Sequence, residues 1–296
     1  NPAELMPDWE GKPHFTDHSY RGFAADREAD ELLMLNIDAK TSEQNWCHMT
    51  ATGTTLGNGK IVFPIRACYP QAALKNNAAY VLAIGDIREP VKEWAEYKFE
   101  QTQRQWDYVF RILYFTWTPD IRGKDFAAPI EIANVDDTAG HITNQDLWIA
   151  PNGDAYIMYT ERSVANALMR DKFFPELSIL DTLHLAVVRD GEVVSREVLI
   201  EGTDARQPGA ARFHVTENGN LYALVYAVVD GKPGNYLIPI MPPLGDRKVI
   251  AVPLQQPLGT FLLANTRAGN APSNTIDLVG SGRNNTIVYA QINLGK

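Results

Sequence analysis

Cysteine is scarce: Cys47 and Cys68 are the two in a chain of 296 residues. Two thiols exclude a disulfide framework and a cysteine-built zinc site, and they leave the redox compartment open. Basic residues are outnumbered, 27 Lys and Arg against 36 Asp and Glu for a formal charge of −9. That balance argues against a general affinity for phosphate backbones, so no nucleic-acid partner is expected. Long hydrophobic runs are missing as well. The stretch Tyr222 to Val229 is far short of the roughly 20 apolar residues a membrane helix needs, and no membrane partner is expected. Helical periodicity is confined to residues 89–105 and 163–173, each with room for a turn or two. No phosphate loop, dinucleotide fingerprint, serine elbow or His-x-x-x-His pair occurs, so no cofactor is expected, with calcium on scattered carbonyls and aspartates left open. The chain opens on Asn1 with no charged-then-apolar leader and no Met, which points to a processed or trimmed product.

What is present is apolar mass for a sizeable core, 45% of residues with 10% aromatic, and a recurring hairpin pattern. An apolar run meets an Asn-Gly or Asn-Asn turn and leaves on a second run of β-branched and aromatic residues, at Asn58-Gly59, Asn152-Gly153, Asn218-Gly219 and Asn284-Asn285. Such dipeptides suit a type I′ turn, in which both central residues take positive φ. A degenerate copy spans Ala25 to Leu35, and a further hairpin turns at Asp190-Gly191. The turn asparagines are spaced 94, 66 and 66 residues apart. Two hairpins per 66-residue interval make four strands, and repeated four-stranded antiparallel units build a β-propeller. The expected fold is all-β, a single propeller domain over residues 1–296 with about five blades, or six if the longer interval holds another. With Asn58-Gly59 as a turn, Cys47 and Cys68 become diagonal neighbours on one hairpin, where buried free thiols are expected. The Asn284 sequon tilts localisation towards a secreted or periplasmic protein.

Thr118-Pro119-Asp120-Ile121-Arg122-Gly123-Lys124-Asp125-Phe126 resembles the Asp box of sialidase-like (BNR repeat) propellers, with one extra residue before the glycine. In that box an aspartate folds back onto backbone N–H groups of the turn, and the aromatic packs beneath it. Tyr20-Arg21-Gly22-Phe23 resembles the Tyr-Arg-x-Pro start of the first inner strand in sialidases, where the arginine holds a substrate carboxylate. The resemblance implies a superfamily that includes glycoside hydrolases, polysaccharide lyases and noncatalytic sugar binders.

In a propeller, ligands sit where loops lead into each innermost strand and where its partner strand ends. On that basis the expected rim carries Trp46-Cys47-His48, residues 138–146, residues 206–212, Arg66 to Tyr69, Glu161-Arg162 and Tyr226. Arginine matches a carboxylate with two parallel hydrogen bonds, so Arg21, Arg66, Arg162 and Arg212 are candidates for an anionic-sugar subsite. His48 and His141 suit general acid or base work, with His214 placed deeper in its strand. Glu161 is a candidate catalytic carboxylate if Asp146 or Asp137 supplies a second carboxyl. In a lyase, a histidine or tyrosine removes the proton beside a uronate carboxylate while arginine or asparagine neutralises that group, and Tyr69, Tyr226 and Asn144 fit such roles. The expected function is cleavage of an acidic saccharide by hydrolysis or β-elimination, with a noncatalytic glycan- or protein-binding module as the alternative.

Overall fold

The computed structural model describes residues 4–242, 249–282 and 286–295. The fold is an all-β propeller of five blades. The first sheet runs in the order β1 (Arg21–Asp26), β2 (Glu31–Ile37), β3 (Gln44–Thr50) and β4 (Thr55–Ile61). The second begins with β5 (Ala67–Lys75) and β6 (Ala78–Gly85). An insertion follows: β7 (Ile87–Arg88), helix α1 (Lys92–Thr102) and β8 (Tyr108–Val109), with β7 and β8 paired in a small ladder. The sheet is completed by β9 (Ile112–Thr118) on β6 and β10 (Ile130–Asn134) on β9.

The third sheet holds β11 (His141–Ile149), β12 (Ala155–Arg162), β13 (Asp181–Arg189) and β14 (Glu192–Ile200), with helix α2 (Ala167–Phe173) between β12 and β13. The fourth holds β15 (Arg206–Val215), β16 (Leu221–Val229), β17 (Lys232–Met241) and β18 (Ile250–Val252). Among the described residues the fifth has three strands, β19 (Phe261–Leu263), β20 (Thr275–Ser281) and β21 (Ile287–Asn293). Both helices fall inside the two expected windows. No helix is long and apolar enough to cross a membrane among the described residues.

The chain divides into two compact units, one of Asn1–Asn144, Glu161–Ile179 and Arg189–Val193, the other of Gln145–Thr160, Leu180–Val188 and Val194–Lys296. In the first unit Leu33, Leu35, Ala72, Val81, Ala83 and Tyr114 form the core between the first two sheets. In the second, Phe213, Ala223, Val225 and Ile238 anchor a core with Leu183 and Leu185. Central strands such as β6 are buried on both faces, whereas the edge strands β14 and β21 have exposed positions interspersed with half-buried ones. Gly22 lets β1 approach β5 closely, since a Cβ there would lie 3.1 Å from the Pro70 carbonyl oxygen.

The turn chemistry departs from expectation at several points. Asp190 and Gly191 do take φ of +51° and +81°, the two-residue type I′ turn. At Asn152-Gly153 and Asn218-Gly219 only the glycines are left-handed, at +90° and +82°. The Gly153 N–H reaches the Ala150 carbonyl, and the Gly219 N–H that of Thr216. These are three-residue loops, a type I turn closed by a left-handed glycine. Asn58-Gly59 is no turn at all: both residues lie inside β4, facing Cys47 and Trp46, and the β3–β4 loop turns at Gly53 instead. A Cβ on Gly59 would stand 2.8 Å from the Trp46 ring, so the glycine serves a cross-strand approach. The degenerate copy is the β1–β2 hairpin. The Asn284-Asn285 turn lies outside the described residues.

The long 94-residue interval has a structural origin. The first hairpin of the second sheet turns at Asn76-Asn77, φ +51° and +65°, and the insertion between β6 and β9 lengthens that blade. Cys47 and Cys68 sit on β3 and β5 of different sheets, so the expected shared hairpin is corrected, while both are buried and free. Burial pushes both thiols up in pKa, which makes them poor nucleophiles.

Candidate functional site

The first unit gathers a line of aromatic and charged side chains at the starts of β1, β5 and β11. The β5–β6 register shifts between Cys68 and Gln71, and Tyr69 within this bulge takes φ +50°. A bulge re-aims the side chain it carries, and a left-handed tyrosine is a costly conformation that the surroundings must hold. Here Asn144 of β11 holds it, its Nδ2 donating to the Tyr69 carbonyl at 2.9 Å, while Gln71 Nε2 donates to the Asn144 carbonyl at 3.4 Å. Tyr69 is 44% exposed. Its hydroxyl donates to that of Tyr20 at 3.1 Å, with the rings 4.2 Å apart. On its other side Phe110 lies 5.8 Å away, and Phe110 in turn meets the His141 ring edge-on at 5.6 Å. Burial of the phenol end, and then the Tyr20 hydrogen bond, raise the pKa of Tyr69, so it keeps its proton at neutral pH.

Arg66 completes the group. Its guanidinium bonds the Asp86 carboxylate, donates to the Asp86 carbonyl at 3.2 Å, and lies 5.7 Å from the Tyr20 ring and 5.8 Å from that of Tyr108. Backbone pairing sets this up: the Asp86 N–H bonds the Arg66 carbonyl at the end of the β5–β6 ladder. Beside this group, α1 is anchored by Glu89, which accepts from Arg111 Nη1 at 3.0 Å and from Lys98 Nζ at 2.6 Å, all three residues buried.

Of the candidates from sequence, Tyr69 and Asn144 are in direct contact, Arg66 joins them through Tyr20 and His141 through Phe110, and Arg21 follows Tyr20 as an exposed residue on β1. Glu161 and Arg162 end β12, where Arg162 Nη1 donates to the Ala165 carbonyl at 3.4 Å. His48 is elsewhere. It lies on β3, the third strand of its sheet, and not at the start of an innermost strand. The ring is fully buried, its Nε2 2.7 Å from Glu31, whose carboxylate also pairs with Arg122. Burial lowers its pKa against the opposing pull of Glu31.

In the second unit the expected rim residues are tied into packing. Arg212 Nη1 donates to the carbonyls of Gln145 at 2.8 Å and Ala211 at 2.7 Å. Tyr226 covers Gly209, where an added Cβ would meet its ring at 2.8 Å. Asp146 accepts from the backbone N–H groups of Leu147 and Phe213 and from Arg267 Nε at 3.1 Å. His214 Nε2 lies 2.7 Å from the Ser273 carbonyl. Among the described residues no group of three or more His, Cys, Asp or Glu side chains is arranged to hold a metal ion.

Sequence reasoning passed over Asp86, Tyr108 and Phe110. Asp86 had a signal, an acidic residue directly after an apolar strand paired with Arg66; Phe110 had none. In the Asp120 loop, Asp120 Oδ1 accepts from the Arg122 N–H at 3.1 Å, and Phe126 lies 6.1 Å from the Trp46 ring.

No family model matches the chain, and no curated protein matches its sequence. Solved structures do. A protein of unknown function from Dyadobacter fermentans aligns with a TM-score of 0.57 at 10% identity over 95% of this chain and 81% of that one. A mutant of the Synechocystis apocarotenoid oxygenase gives 0.54 at 10% identity over 88% of this chain, which spans 56% of the oxygenase. An endo-arabinase from Bacteroides thetaiotaomicron covers 98% of both chains at 8% identity, but its TM-score of 0.46 lends no weight. Identities this low establish the propeller fold alone.

Proposed function

We propose that the chain binds and cleaves a uronate-bearing saccharide at the Tyr69 group, by β-elimination. The observation that carries this reading is the juxtaposition of a histidine, a proton-retaining tyrosine, an arginine and an asparagine along one ring-lined surface. In the reaction His141 takes the proton from the carbon beside the uronate carboxylate. The freed electron pair forms a carbon–carbon double bond, the bond to the leaving oxygen breaks, and Tyr69 gives that oxygen its proton. Arg66 and the second N–H of the Asn144 amide face the carboxylate, whose charge grows as the proton leaves. Retaining hydrolysis is less well served. It needs two carboxyl groups about 5 Å apart, and the one carboxylate in the group, Asp86, is committed to Arg66.

The second reading, a noncatalytic acidic-glycan binder, is favoured by that same ion pair, because Arg66 already has a counter-charge. Incubation with a panel of uronate-containing and sialylated glycans separates these readings. Elimination produces reducing ends together with the ultraviolet absorbance of an unsaturated uronate. Reducing ends without absorbance mean hydrolysis, binding without either product means a binding module, and no binding at all overturns the proposal.

A further inference from the structure

The insertion between β6 and β9 carries a second arginine–aromatic pair that the Tyr69 group does not use. Arg88 Cζ lies 4.7 Å from the Trp106 ring centre. Across the β7–β8 ladder Arg88 faces Tyr108, and Tyr108 in turn lies 5.8 Å from Arg66. From Trp106 to Tyr20 the residues run ring, guanidinium, ring, guanidinium, ring, with Arg88 and Tyr108 joined by strand register, and Tyr69 lies against Tyr20. Trp106 is 68% exposed and Tyr108 41%. Arg88 is exposed too, and among the described residues it has no carboxylate within ion-pair distance.

Fold stability does not account for this pair. An exposed cation–π contact is worth about 0.5–1 kcal/mol, and a tryptophan left largely in water gains little from burial. The insertion is already held by the buried Glu89, Arg111 and Lys98 group. An exposed indole with an uncompensated cation beside it suits a pyranose ring that stacks on an aromatic face while its carboxylate meets the guanidinium.

Building on the reading of the Tyr69 group as a uronate site, we infer that Arg88 and Trp106 form a distal subsite, and that the ligand is a polyanionic saccharide chain rather than a single acidic sugar. The test is calorimetric titration of the wild type, Trp106→Ala and Arg88→Gln with a uronate disaccharide and with a longer oligomer of the same sugar. Titrations run on ice, with product absorbance followed to show the ligand intact. Both positions are exposed, and unchanged melting curves would verify folding. Each variant is expected to lose at least fivefold in affinity for the oligomer and less than twofold for the disaccharide. Unchanged oligomer affinity, or equal losses at both lengths, would overturn the distal subsite while leaving the Tyr69 reading in place. A wild type that binds neither ligand overturns that reading and the subsite with it.

Discussion

The Tyr69 hydroxyl donates its hydrogen bond to Tyr20, and the two phenol rings lie 4.2 Å apart at a 39° tilt, Tyr20 just before β1 and Tyr69 in the bulge of β5. The donor direction matters for chemistry. Burial and the Tyr20 hydrogen bond raise the pKa of Tyr69, so at neutral pH it is present as the phenol and has a proton to give a leaving oxygen, and is not a phenolate base. Tyr69→Phe keeps the ring and removes that proton, so turnover on a uronate polymer is expected to fall at least tenfold with KM changed less than threefold. A rise in KM at unchanged kcat would assign Tyr69 to binding alone.

Asp86→Asn tests whether Arg66 is the group that receives the ligand carboxylate. The Asp86 side chain is 4% exposed and that of Arg66 24%. Removing the carboxylate leaves a half-buried cation, with a cost of about 2 kcal/mol, between an exposed pair and a fully buried one. If Arg66 receives a substrate carboxylate, the same change should tighten uronate binding several-fold despite the lost stability. Denaturant unfolding and a binding isotherm on the same sample check both halves, and weaker binding would mean that Asp86 positions Arg66 for the ligand.

Three histidines give the fold a shared pH dependence. Burial lowers the pKa of His48, His184 and His214 below the usual 6.5. His48 faces Glu31 and Arg122, His184 stacks on Tyr159, and His214 meets the Ser273 carbonyl. Well above pH 6.5 none is protonated in either state, so their lowered folded-state values carry no stability penalty there. As pH falls below that value the unfolded chain binds protons first, and stability drops until the depressed folded-state values are reached. The expected slope is about 1.4 kcal/mol per pH unit for each histidine, reaching about 4 for three together. Urea unfolding at steps between pH 7.5 and 5 tests this, and a flat profile would contradict it.

The propeller was legible in the sequence because strand propensity and turn residues agree at Asp190-Gly191, Asn152-Gly153 and Asn218-Gly219. Asn58-Gly59 misled because two different needs select glycine, a left-handed turn or a close neighbour, and here the Trp46 ring supplied the second. Asn76-Asn77 was missed for the converse reason: two asparagines carry the positive φ without any glycine. Of the candidate site, Arg66, Tyr69, His141 and Asn144 were readable as residue types at strand starts. Their meeting depends on the β5 bulge and on the insertion that presents Tyr108 and Phe110, neither of which leaves a periodic trace. His48 lies off the expected rim because Asn58-Gly59, the pair that would set its distance from a turn, is part of β4.

The measurement that bears most directly on the central claim is the affinity of a uronate oligosaccharide for the wild type and for Tyr69→Ala, with melting curves to confirm the fold. The account predicts at least a tenfold loss, since the variant removes the ring between Tyr20 and Phe110 and the hydroxyl between them. A folded Tyr69→Ala that binds the oligosaccharide as tightly as the wild type would contradict it and move the search for the site away from this surface.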